Sequence, residues 1–244
     1  MATASKRYGS ETPRLWTKPL RELTRETSLG FEAIDFAENI LGVRLMPWQR
    51  WFLIHALEIL PNGKFRFRTV ILTVARQNGK STLASILILY RMYVDRAQLI
   101  IGAAQNLDTA EETWQGALDM IESVPELDAL KGAVSRAKGK RELALKTGSR
   151  YRIASTKRGA GRGFPCDMVL MDELREHTDW LVWRSLANTT MARPRGMTVG
   201  VSNAGDAFSI VLAHWRNKAI EEVDQGKTLG IFEYDWVWNI GDRT

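Results

Sequence analysis

The chain has 244 residues, 45% of them hydrophobic and 25% charged, and carries a formal net charge of +6. This is the balance of a soluble globular protein, long enough to bury a full core as one large domain or two small ones. No apolar stretch reaches the ~18 residues of a membrane span, "MATASKRYGSETPRLW" lacks a secretory core, and a lone Cys166 with three scattered histidines leaves no disulfide or metal cluster; an intracellular protein is expected.

In chain order, residues 1–27 are polar and basic without a sustained period, and read as a mobile arm ahead of one domain over 28–244. "SLGFEAIDFAENILG" has apolar residues at helical spacing and Gly42 as a stop; "MPWQRWFLIHALEIL" is a second helix with Pro47 at its first position. "PNG" is a turn and "KFRFR" alternates like a short strand. "TVILTVA" is rich in β-branched residues, as a strand buried on both faces should be. "KSTLASILILYRMYV" is a core helix, "AQLIIGAAQ" a strand and "NLDTAEETWQGALDMIESV" an amphipathic helix. "ELALKTGSRYRIAS" suggests a hairpin turning at Gly148-Ser149. "DMVLMDE" (strand), "DWLVWRSLANTTM" (helix), "GMTVGVSN" (strand), "AFSIVLAHWRNKAIEEVDQG" (helix stopped by Gly226) and "TLGIFEYDW" (strand) complete the chain. Strands alternating with helices predict an α/β fold, with a mostly parallel central sheet flanked by helices on both faces.

"VARQNGKST" carries the chemistry. Ala75, Arg76, Gln77, Asn78, Gly79, Lys80, Ser81 and Thr82 lie between a buried strand and a strong helix, where phosphate meets free amides and the positive helix end. Lys80 would neutralise the β- and γ-phosphates of ATP, and the Ser81 hydroxyl would ligate Mg²⁺. A surface lysine at a helix N-terminus, the plain alternative, conflicts with the helix dipole. The usual first glycine of such a loop, six residues before the lysine, is Val74 here. Downstream, "MVLMDE" ends a strand in Asp172, suited to hold Mg²⁺ through water, and Glu173, suited to orient or deprotonate the attacking water. Gln49 in "PWQ" suits an amide at the adenine edge, though a helix start with core tryptophans fits as well. Asn203, ending "TVGVSN", is placed to sense the γ-phosphate or its water, or simply makes an Asx turn. Between 131 and 162, eleven basic residues face one acid, Glu142: either a solvated hairpin face or a polyanion-binding stripe.

Together these residues resemble the large terminase subunits of tailed double-stranded DNA phages, helicase-type P-loop NTPases that package genomes. In that family the loop often lacks its first glycine and carries an arginine four places before the lysine, as Arg76 stands here. The resemblance implies that Gln49 contacts adenine, that Asp172 and Glu173 are the Walker B pair, and that Ser202-Asn203 match a coupling motif loosely. The Arg162-Gly163 pair, ten residues before Asp172, makes Arg162 the candidate arginine finger acting on a neighbouring subunit, with Arg158 as competitor. It further implies a ring of subunits on a portal, a small terminase subunit and double-stranded DNA as partners, no membrane, and a place in the host cytoplasm at the assembling procapsid. The resemblance covers roughly residues 30–236, and a nuclease domain or nuclease site is not expected within this chain. The rivals are another helicase-type DNA-dependent ATPase, or a DNA-binding assembly protein with an inert nucleotide site.

Overall fold

A computed structural model describes residues 10–137, 141–154, 165–225 and 228–234. One nine-stranded sheet organises them, in the order β1-β9-β2-β8-β7-β3-β6-β5-β4. The strands are β1 (Leu15–Trp16), β2 (Thr69–Thr73), β3 (Leu99–Ala104), β4 (Lys131–Ser135), β5 (Glu142–Leu145), β6 (Arg150–Ile153), β7 (Met168–Asp172), β8 (Met197–Ser202) and β9 (Leu229–Glu233). From β9 through β6 all neighbours pair parallel, and antiparallel strands close both edges.

The parallel strands are continuous apolar runs because both faces are covered. Val70, Leu72, Ile100, Met168, Leu170, Val199 and Phe232 face one core, shared with α1 (Gly30–Asp35), α2 (Pro47–Ala56), α3 (Lys80–Tyr93) and α4 (Leu107–Glu122). Ile71, Ile101, Val169, Met171 and Ile231 face the other, covered by α6 (Leu181–Leu186) and α7 (Ile210–Glu222). A short α5 (Pro125–Asp128) follows α4. The alternation of single strands between two cores is what the period of two requires.

Several elements differ from the sequence reading. Leu15 and Trp16, assigned to a mobile arm, pair with Phe232 and Glu233. Burial explains it: Thr17 is fully enclosed and its hydroxyl accepts the Ile231 N–H, while Arg14 pairs with Glu233. "KFRFR" makes one bridge, Ile59 to Phe65, rather than a strand. Its phenylalanines are buried, and Arg66 is buried against Glu58 at 2.7 Å and donates to Lys18 O. Strand β4 was not foreseen, and the helix predicted at 179–191 divides into α6 and a 3-10 turn over 187–190. The first helix passes through a π-turn at Phe36–Ile40 before Gly42, whose φ of +66° ends it as expected. The hairpin turn at Gly148 is also as read, with φ +94°. Gly226 lies outside the described residues.

Candidate nucleotide site

Four adjacent strands, β2, β8, β7 and β3, run parallel and end at one cleft of about 550 Å³. Each delivers its polar residues at its C-terminal end, where open α/β sheets bind ligands. The 74–79 loop after β2 leads into α3, β8 ends in Ser202 and Asn203, β7 in Asp172 and Glu173, and β3 continues to Gln105 and Asn106. The cleft is lined by Ala75, Arg76, Gln77, Gly79, Lys80, Ser81 and Thr82 on one side. Glu173, Arg175, Glu176, Asn203, Gln105, Asn106 and Thr109 line the other.

The loop geometry answers the question raised by Val74. Left-handed backbone is needed at Gln77 (φ +61°) and at Gly79 (φ +74°), not at Val74, which is fully buried and donates its N–H to Ser202 O at 3.0 Å. A side chain at 74 therefore extends the core of β2 and costs no strain. Asn78, expected in the binding surface, is turned inward instead. Its amide donates to Ala75 O at 3.1 Å and Arg76 O at 3.0 Å, buckling the loop. Gln49, expected at the adenine edge, is also outside the cleft lining. It is buried; its Oε1 accepts Met46 N–H at 2.8 Å, capping α2, and its Nε2 donates to Gly79 O at 2.9 Å. The amide thus fastens α2 to the loop.

Lys80 is 8% exposed, which removes the surface-lysine reading. Its Nζ donates to Glu173 Oε1 at 2.7 Å and to Asn203 Oδ1 at 3.3 Å, and lies 4.0 Å from Asp172 Oδ1. Asn203 in turn faces both Glu173 oxygens at 3.5 Å, so it belongs to the cluster and not to an isolated turn. Glu173 adopts a left-handed conformation (φ +48°), uncommon for a non-glycine residue. That turn brings Arg175 back over the cleft, its N–H donating to Ser202 Oγ at 2.9 Å and its Nε 3.6 Å from Glu173 Oε2.

Burial pushes the Asp172 carboxyl above the ordinary aspartate range, with nearby Lys80 pulling the other way. A buried carboxylate 4.0 Å from Lys80, together with the exposed Ser81 hydroxyl in the first turn of α3, offers the hard oxygen donors a divalent cation takes. Mg²⁺ uses one or two carboxylates plus substrate phosphates rather than an all-protein cage, and among the described residues there is no group of three or more His, Cys, Asp or Glu to form one. Ser81 and Asp172 are the residues that would hold it. Arg162 and Arg158 lie outside the described residues.

Sequence reasoning missed Arg175, Glu176, Gln105, Asn106 and Thr109. Gln105-Asn106 carried the same signal used for Asn203, polar residues closing an apolar strand; the other three depend on how the chain folds back.

A scan of protein-family models finds no match, and no curated protein matches. Solved structures do. The HK97 bacteriophage large terminase superposes with a TM-score of 0.72 at 19% identity, over 88% of this chain and 45% of its own. The fold is that of phage large terminase ATPase domains. The Thermus phage P74-26 large terminase ATPase domain matches with a TM-score of 0.56 at 19% identity, over 72% of this chain and 71% of its own. A large terminase from a thermophilic bacteriophage, solved in complex with ATP-gamma-S, gives 0.51 at 13% identity, over 69% of this chain and 39% of its own. This chain therefore has the terminase-type P-loop NTPase architecture, and spans less than half the length of the HK97 protein.

Proposed function

We propose that the chain is the ATPase motor domain of a phage large terminase, hydrolysing ATP with Mg²⁺ to drive double-stranded DNA into a procapsid. One observation carries the reading: adjacent parallel strands bring a loop lysine, a glutamate and an asparagine to one cleft, with a buried aspartate just behind its lining, 4.0 Å from that lysine. No step in that arrangement requires covalent chemistry from the protein, which suits phosphoryl transfer, where catalysis is positioning and electrostatics.

Lys80 and the loop amides at the start of α3 hold the phosphates. Ser81 and Asp172 would hold Mg²⁺, which would supply positive charge to offset that of the phosphates. Glu173 orients the attacking water and takes up its proton, with Asn203 holding the carboxylate toward the cleft. Arg76, exposed on the loop, adds charge from this subunit. Arg162 of a neighbouring subunit in a ring completes the transition-state charge; this part rests on the sequence register alone. Duplex DNA, the portal and a small terminase subunit are the corresponding partners, at the procapsid in the host cytoplasm.

The test separates phosphate binding from water activation. Lys80→Ala should abolish ATP binding; Glu173→Gln should keep binding and lose turnover by about 10²–10⁴-fold. Wild-type turnover in Glu173→Gln would remove the catalytic assignment and favour an inert or differently built site.

A further inference from the structure

The Asp172 side chain points to the α3–α4 face of the sheet, in step with Met168 and Leu170 four and two residues before it. Its two oxygens have different partners. Oδ1 accepts the Glu173 N–H at 2.8 Å, and Oδ2 accepts the Thr113 hydroxyl at 3.0 Å. Thr113 lies in the second turn of α4 and is 2% exposed; Asp172 is 3% exposed. The bond is thus made where bulk water does not replace it.

A threonine inside a helix ordinarily turns its hydroxyl back to a carbonyl of the preceding turn. Thr113 instead spends its donor across the element boundary, on a carboxylate at the end of β7. Its own carbonyl accepts the Ser85 hydroxyl at 3.2 Å, from the second turn of the helix that opens with Lys80. One residue therefore touches the carboxylate through its side chain and the phosphate-loop helix through its backbone. Topology makes this contact available: Ala104, at the end of β3, pairs with Asp172, and α4 begins three residues later.

We propose that Thr113 is the positioning residue for Asp172, fixing the rotation of that carboxylate and registering it against α3 so that its free lone pairs are preset for the cation. The proposal rests on Asp172 being the metal ligand. Partners of this kind orient ligating groups and typically change metal affinity by about 10–100-fold when removed.

The experiment uses Thr113→Val, Thr113→Ala and Thr113→Ser in the whole chain, with Asp172→Asn alongside. Mn²⁺ binding in the presence of ATP is read by electron paramagnetic resonance, and a fluorescent ATP analogue without metal reports the rest of the site. Val and Ala should raise the Mn²⁺ midpoint about tenfold or more, with metal-free nucleotide affinity unchanged, and Ser should restore the wild-type midpoint. If Thr113→Val does not fold, the Ser and Ala pair, which differ only in the hydroxyl, decides the matter. An unmoved midpoint in Ala, or equal shifts in Ala and Ser, overturns the proposal. Should Asp172→Asn shift the midpoint while Thr113→Ala does not, the metal assignment stands and only the role of Thr113 falls. If neither shifts it, both fall together.

Discussion

Glu173 is held by its own backbone as much as by its partners. A left-handed glutamate costs of order 1 kcal/mol or more relative to ordinary backbone, and the turn is maintained by the Arg175 N–H bond to Ser202 Oγ. The result is a carboxylate that occupies Lys80, the lysine proposed to bind phosphate, since its Nζ and Glu173 Oε1 are 2.7 Å apart. On the proposed function, nucleotide must compete with that pair. Glu173→Gln should accordingly bind ATP more tightly than wild type, by roughly fivefold if the partly exposed pair is worth ~1 kcal/mol. Equilibrium titration with a non-hydrolysable analogue measures it, and equal or weaker binding would show that the pair does not restrain Lys80. The pair of acids was legible in the sequence because a run of buried apolar residues ending in Asp-Glu has few other uses beside a phosphate loop. Arg175 was not legible. Its approach to the cleft depends on the φ of the residue two before it, and nothing in "DELRE" announces a left-handed turn. Val74 was legible only as a departure from pattern; its innocence becomes physical once the left-handed positions are seen to be Gln77 and Gly79.

At the scale of elements, the 74–79 loop is held from outside by α2. Gln49 spans the two, taking the Met46 N–H at the start of its own helix and giving a hydrogen bond to Gly79 O. Both bonds are part-buried, so removing the amide leaves a helix N–H and a loop carbonyl only partly resolvated, at a cost of about 1 kcal/mol each. Gln49→Ala should therefore lower the thermal midpoint and weaken ATP binding together. Gln49→Glu should keep the acceptor for Met46 N–H and lose the donor to Gly79 O, separating the helix cap from the loop latch. If Gln49→Glu binds ATP as wild type does while Gln49→Ala does not, the latch is unimportant and the cap alone supports the site. The long buried elements were readable because hydrophobic period and length agree there. Edge elements were not. Strand β4, with its residues half exposed or exposed, has no apolar period to read. Leu15 and Trp16 become a strand only because β9, over two hundred residues later, offers them an edge.

For the molecule as a whole, two properties follow from where charge is buried and where it is matched. Burial pushes His55, stacked on Trp51 at 3.5 Å, and His177 below the ordinary histidine value of 6.5. The unfolded chain then takes up protons first as the pH falls through that value. Stability is full above it and declines with acid until the folded rings protonate too. The thermal midpoint should drop between pH 7.5 and 5.5, and His55→Phe, which keeps the ring stack, should flatten part of that drop; an unchanged pH profile would assign the loss elsewhere. The basic stripe needs a similar accounting. Counted along the sequence, 131–162 holds eleven cations and one acid, but α4 and α5 supply acids from outside that window. Lys131 meets Glu122 at 2.8 Å and Asp128 at 2.6 Å, Arg136 meets Glu122 at 3.5 Å, and Arg141 meets Glu111 at 2.6 Å. These cations have internal partners and would release few counterions on any polyanion. Lys157, Arg158 and Arg162 belong to the segment outside the described residues, and their contribution rests on sequence. If the chain binds duplex DNA through the stripe, affinity should be independent of sequence and fall with salt. Replacing Lys131 or Arg141 by Gln should leave the slope of log affinity against log salt nearly unchanged. Replacing Lys157, Arg158 or Arg162 should reduce it by about 0.9 for each DNA phosphate that is no longer neutralised. Equal slope reductions at Lys131 and at Arg158 would mean that the internal ion pairs open on DNA. No reduction at any of these positions would move the DNA-binding surface off the stripe altogether.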